Sequence, residues 1–201
     1  MVSHSDDFDD IEDDYPDIQE FPTLISVARF TRLLSEVHWF SSVGTDLGAE
    51  VYDAANDYID LMGFPGTFVA PITNWDEAAS AAQSLDFNSS WWEAEEQMRA
   101  GLTMEALEIV SEDDLNMAMT HIASAATPVI EQAIEEIADE NGIADAELIR
   151  AAMGSALQAC HQAALVLVSG QEDTHPFALK YRLFEKGHWP IAITGSSFNI
   201  F

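Results

Sequence analysis

Thirty-six Asp and Glu side chains stand against seven Lys and Arg, a formal charge of -29 on 201 residues. Any compact fold must keep nearly all of those carboxylates in water, because an ionised group buried without a partner is among the costliest arrangements in a protein. Yet 48% of the chain is apolar, with 5 Trp and 11 Phe, which is ample for a core and argues against disorder of the whole chain. Both conditions are met when the acids form an outer shell and an N-terminal tail around an apolar interior. Self-repulsion in such a shell eases as salt screens it. Phosphate backbones and anionic bilayers attract protein through Lys and Arg, so nucleic acid and membrane surfaces are poor partners. Two readings of the acidity stay open. One is adaptation to salt, in keeping with only two lysines, Lys180 and Lys186; the other is an acidic face that binds a basic protein.

The length suits a single domain. Nine of the fifteen residues 6–20 are acidic, and like charges at that density resist compaction, so residues 1–20 read as a disordered acidic tail ahead of one helical domain over 21–201. Cys160 is the only cysteine, which fits a reducing compartment. The first residues carry neither a cationic region nor an apolar core, so no secretory signal is expected and the location reads as cytoplasmic. The apolar stretch 151–169 contains Gln158, His161 and Gln162 and reads as a buried helix rather than a membrane span.

Apolar residues at spacings of three and four predict a mainly α multi-helix bundle of seven or eight helices. Leu24, Val27, Ala28, Leu34, Val37 and Phe40 lie on one stripe of a helix ending near Ser41. A second helix runs from Thr45 or Asp46 to Met62, with Leu47, Val51, Ala54, Ala55, Tyr58 and Leu61 inward and Gly63 as its stop. Residues 64–71 are extended, and Thr73 or Asn74 caps a short helix over 76–84. Ser90 opens a helix with Trp91, Trp92, Ala94 and Met98 inward, broken near Gly101. Ser111 and Asp114 cap the next. Thr127-Pro128 reads as a fresh helix start, and that helix ends at Asn141-Gly142. The longest helix is expected over 145–168, with Ala151, Ser155, Ala159 and Ala163 as a small-residue ridge. Thr174-His175-Pro176 starts a short helix, and two alternating runs around Gly195-Ser196-Ser197 read as a C-terminal β-hairpin. A lone hairpin is marginal in water. It must pack on the bundle, pair with the extended segment near 66–72, or join another chain as the contact of a homodimer.

The chain offers little recognisable chemistry. Carboxylates at Asp13, Asp14 and Asp17 have Pro16 among them, and Asn56, Asp57 and Asp60 read as a solvated helix face. The histidines form no His-Glu-x-x-His pair, and no phosphate loop or Gly-x-Ser-x-Gly elbow occurs. No catalytic residue, metal centre or cofactor is assigned. His121 and His161 each sit in an apolar helix; if those helices face each other, they and Gln158, Gln162 and Cys160 could line a pocket for a small ligand or metal. The other reading is two core histidines on different faces. Cys160 next to His161 is no nucleophile–base pair, because successive helical residues point about 100° apart.

The C-terminal segment 174–201 has the opposite sign to the rest. It carries Lys180, Arg182 and Lys186 against Glu185, followed by His188 and Trp189. It reads as an element clamped electrostatically on its own acidic bundle over Trp189, Phe198 and Phe201, as a dimer contact, or as an anion site built from Lys180, Arg182 and His188. The reading that follows is a non-catalytic acidic binding protein. The alternative is an enzyme or small-ligand binder with an inter-helix site at His121 and His161.

Overall fold

Helix-starting side chains set most of the boundaries in the computed structural model, which describes residues 22–201. The expected tail over 1–20 lies outside the described residues. Asn74 caps α3 (Trp75–Ala82) by accepting from the Glu77 N–H, and Asn88 caps α4 (Ser89–Leu107) by accepting from Trp91. Ser111 caps α5 (Glu112–Asn141), and Asp145 caps α6 (Ala146–Val168) with one carboxylate oxygen on two backbone N–H groups. His175 caps α7 (Pro176–Glu185) through Nδ1, with Pro176 at the first helical position. Upstream lie α1 (Pro22–Leu33) and α2 (Ala49–Leu61).

Three short strands complete the fold: β1 (Phe68–Pro71), β2 (Pro190–Thr194) and β3 (Ser197–Ile200). The hairpin forms as expected, and β3 lies in the middle of the sheet, parallel to β1 and antiparallel to β2. The hairpin pairs with the extended segment and also packs on the bundle, against α2 and α7. The outer side of β2 is joined by residues 86–88, through Asn88 N–H to the Ile193 carbonyl and Gly195 N–H to the Asp86 carbonyl. On β1, Phe68 and Ile72 donate toward β3; alternation turns Val69 and the N–H-less Pro71 outward, which blunts that edge.

The core is organised around α6, which packs on α5, α7, α1 and α4. A second cluster joins Val51, Ala55, Tyr58 and Ile59 of α2 to Leu179 and Leu183 of α7 and to Ile193, Phe198 and Ile200 of the sheet. The expected small-residue ridge is buried in its second half, at Ala159 and Ala163, and a second row beside it is buried throughout. Ala151 is exposed, while Ala152, Ala156, Cys160 and Ala164 are all fully buried. With neighbours on several sides, α6 buries small residues on more than one row.

Three helix boundaries depart from the expectation for identifiable reasons. The expected start at Thr127-Pro128 is instead the middle of the 30-residue α5, longer than the 23-residue α6. An interior proline costs about 3 kcal/mol. Ile122, Ala126, Ile130 and Ile134 form one unbroken stripe, each at most 1% exposed, and each buried Ile contributes about 1.5–3 kcal/mol, so continuity wins. Thr127 bonds back to the Ala123 carbonyl instead of capping. Gly101 likewise lies within α4, where a glycine costs only about 1 kcal/mol and Leu102 and Ala106 beyond it are buried.

The third departure is α1, which ends at Leu33 with a 3₁₀ turn over Leu34–Glu36 rather than running to Ser41. The chain turns so that Trp39 and Phe40 enter the core, stacking edge-on to Tyr181 and Phe184 respectively. Phe40 holds φ 58, rare for an aromatic residue, and is fully buried. The loop is pinned by Ser42 N–H to the Gly187 carbonyl. A side chain at Gly187 would sit 2.5 Å from Ser41 Oγ, and φ there is +81, so only glycine fits. Of the residues expected inward, Leu61 and Trp92 are instead about half exposed.

Candidate functional site

Each of the three C-terminal cations finds a carboxylate outside its own helix. Lys186 Nζ lies 2.5 Å from Glu50 Oε2 at the start of α2, and Arg182 lies 3.8 Å from Asp173 in the loop before α7. Both pairs are at the surface, where screening makes such contacts weak. Glu50 is held below its ordinary value by the hydrogen bond and charge of Lys186. The third pair is different in kind. Lys180 Nζ donates to Glu95 Oε1 at 2.7 Å, with side chains 4% and 2% exposed.

Around that pair the structure builds a closed polar cluster. Tyr58 of α2 donates its hydroxyl proton to the same Glu95 oxygen at 2.5 Å, and Trp91 Nε1–H donates to the Tyr58 oxygen at 2.7 Å. Lys180 also lies 5.6 Å from the Trp91 ring centroid, a cation–π contact. The Tyr58 phenol is pushed well above its ordinary value, chiefly by burial and then by the Glu95 charge, against a smaller opposing effect of the Trp91 hydrogen bond. With all four residues at most 6% exposed, no substrate reaches the cluster. What it can do is lock α2, α4 and α7 together. Trp189, Phe198 and Phe201 are buried beneath the same segment, and Trp189 and Phe201 exchange both backbone hydrogen bonds.

Glu95 was not among the residues singled out by sequence. Its neighbours Glu93 and Glu96 read the same way as letters, but Glu95 lies four residues after Trp91 and on the stripe that continues to Leu102 and Ala106. Projecting that stripe through the acidic run is the signal that finds it.

The anion reading for Lys180, Arg182 and His188 does not match this geometry. Lys180 points into the interior toward a carboxylate, Arg182 points out toward Asp173, and His188 is 3% exposed with Nδ1 unpartnered among the described residues. Burial lowers His188 below its ordinary value, with the Phe201 main chain acting the other way.

The inter-helix residues have separate surroundings. His121 is exposed on α5, in a shallow apolar depression with Val27, Met117 and Asp114. His161 is half-buried on α6; desolvation lowers it, opposed by a hydrogen bond to the Met119 main chain. Gln158 is half-buried one turn earlier. Gln162 is fully buried, and neither amide atom has a hydrogen-bond partner among the described residues. Cys160 is fully buried and its thiol is pushed up to about 12 by desolvation, which makes it inert as a nucleophile. Among the described residues, no group of three or more His, Cys, Asp or Glu could hold a metal ion.

The acids themselves show the expected segregation. Four of the seven cations form ion pairs among the described residues, the three C-terminal ones and Arg99 with Glu96. Nine of the thirty-six acids precede residue 22; of the twenty-seven that follow, twenty-three stand outside any ion pair among the described residues. Glu50, Asp53, Asp57 and Asp60 form one exposed row along α2. The first three border a shallow cavity of about 430 Å³ shared with Arg182, Glu185 and Lys186 of α7 and its cap.

Against known protein families, curated proteins and solved structures, the chain has no match.

Proposed function

We propose that this chain is a non-catalytic acidic binding protein that docks a cationic protein partner through the carboxylate row of α2. The observation that carries the reading is the disposition of charge. The C-terminal cations are spent on internal pairs, and twenty-three carboxylates of the described residues are left without a basic partner. A field of that sign steers basic partners inward and accelerates encounter. The α2 row supplies regular spacing on a rigid helix that the buried cluster anchors to α4 and α7. Its bordering cavity gives a long cationic side chain somewhere to lie.

A lysine-rich amphipathic peptide, titrated at low and high NaCl, tests the reading. Affinity is expected to fall steeply with salt, and Asp53→Lys with Asp57→Lys should weaken it far more than Glu135→Lys with Asp139→Lys on α5, which changes net charge equally. Salt-independent binding would remove the electrostatic basis. Equal loss in the two charge-reversed pairs would remove α2 as the docking face.

A further inference from the structure

A second concavity lies where α1, α6 and α7 meet, and its chemistry differs from the α2 surface. It encloses about 200 Å³, below the ~300–1,000 Å³ of drug-sized sites, so its occupant is small. The inner wall is apolar, formed by Phe30, Val166 and Ala178 among others, and the rim carries Asp173, Arg182 and Glu185. Tyr181 completes the wall. It is 6% exposed, yet its hydroxyl makes no hydrogen bond among the described residues. The hydroxyl oxygen keeps contact with solvent at the pocket wall, where it is positioned to meet a polar ligand atom.

The signs of the groups decide what that ligand is. Two carboxylates face one guanidinium, and Arg182 is already engaged by Asp173 at 3.8 Å. Glu185 makes no ion pair among the described residues, and burial raises its carboxyl above the ordinary value although Arg182 and Lys186 pull the other way. The Phe30 and Tyr181 rings meet at 5.0 Å between centroids and 60° between planes, and aromatic rings in a pocket wall favour a cation over an anion. The surrounding molecule adds a charge of -29. An anionic ligand would be repelled, whereas a cation gains the attraction of Glu185, which is exposed at the rim.

We infer that this pocket binds a small primary amine with an apolar or aromatic body. The ammonium lies between Glu185 and the Tyr181 oxygen, and the body rests on Phe30 and Val166. The site shares Arg182 and Glu185 with the cavity beside α2, but Tyr181 borders this pocket alone, so Tyr181→Phe separates the two readings.

The probe is 2-phenylethylamine, followed by amide chemical shifts in the full chain, with phenylacetate as the same body bearing the opposite charge. Saturable shifts at Phe30, Val166 and Tyr181 are expected with the amine and not with phenylacetate. Tyr181→Phe and Glu185→Gln, which keep shape and lose one polar group each, should each weaken the amine about tenfold, the scale of one charge-assisted hydrogen bond. Glu135→Gln, an exposed α5 position that does not line the pocket, should leave it unchanged. The inference is overturned if neither probe saturates, if phenylacetate binds as well as the amine, or if Glu135→Gln weakens binding as much as Glu185→Gln.

Discussion

Replacing Lys180 by Met removes one charge from the buried cluster and keeps most of the aliphatic stem. Glu95 then retains the Tyr58 hydroxyl but loses its counter-ion while its side chain stays 2% exposed. At 2.7 Å and an effective dielectric near 20, the lost attraction is about 6 kcal/mol. Desolvation of the two ions opposes that by several kcal/mol each, so the pair as a whole adds little net stability. A lone partner keeps its own desolvation cost with no attraction to offset it. Lys180→Met should therefore cost about 3–5 kcal/mol, a large part of the ~5–15 kcal/mol of a typical domain. Adding Glu95→Gln, which still accepts from Tyr58, should recover at least about 2 kcal/mol of that loss. Urea unfolding by circular dichroism of the parent, both single variants and the double variant supplies the coupling energy. A Lys180→Met cost below about 1 kcal/mol, or additive single effects, would mean that the pair is solvated and that the clamp is not as described.

Gln162→Met should raise stability by about 1–3 kcal/mol, because it removes an unpartnered buried amide at similar volume; a loss on denaturant unfolding would show that the amide has a role in the fold. Pro128→Ala should stabilise α5 by up to about 3 kcal/mol, since the ring lies mid-helix on an exposed position and alanine restores the bond to the Ser124 carbonyl; an unchanged urea midpoint would refute that. His161, His175 and His188 are all lowered from 6.5 by burial, so their contribution is complete above that value and is lost as pH falls through their lower folded values. His188→Asn should accordingly flatten the fall of the urea midpoint on acidification below pH 6.5; an unaltered slope would mean that His188 titrates as if exposed.

The parts of the fold that were legible in the sequence are those written locally. Asn74, Ser111 and the Asp145 region announce helix starts by side chains that bond their own backbone, and Gly142 announces a stop by adopting φ 67. The hairpin was readable because alternation and turn residues lie within twelve positions of one another. What was not legible depends on partners distant in sequence. Pro128 looks like a start until the stripe from Ile122 to Ile134 is seen packed as one face, and Phe40 looks helical until Phe184 and Gly187 claim its loop. The site shows the same division. The positive balance of 174–201 and the burial of Trp189 beneath it were visible as composition, whereas Glu95 differs from its exposed neighbours only by which way α4 faces. His121 and His161 drew attention for lacking local charge, a property that says nothing about whether two helices turn them toward each other.

The position of β3 has a consequence for how the molecule comes into being. Its neighbours on either side are β1, from the first half of the chain, and β2, just upstream, and neither touches the other without it. During synthesis α1 to α6 can gather as soon as they emerge, but residues 68–71 then wait, with their inward N–H groups unanswered, for the final strand to arrive. Closure of the sheet is thus a late, long-range event. Until it happens, Tyr58 and Ile59 face a cavity that Phe198 and Ile200 have yet to fill.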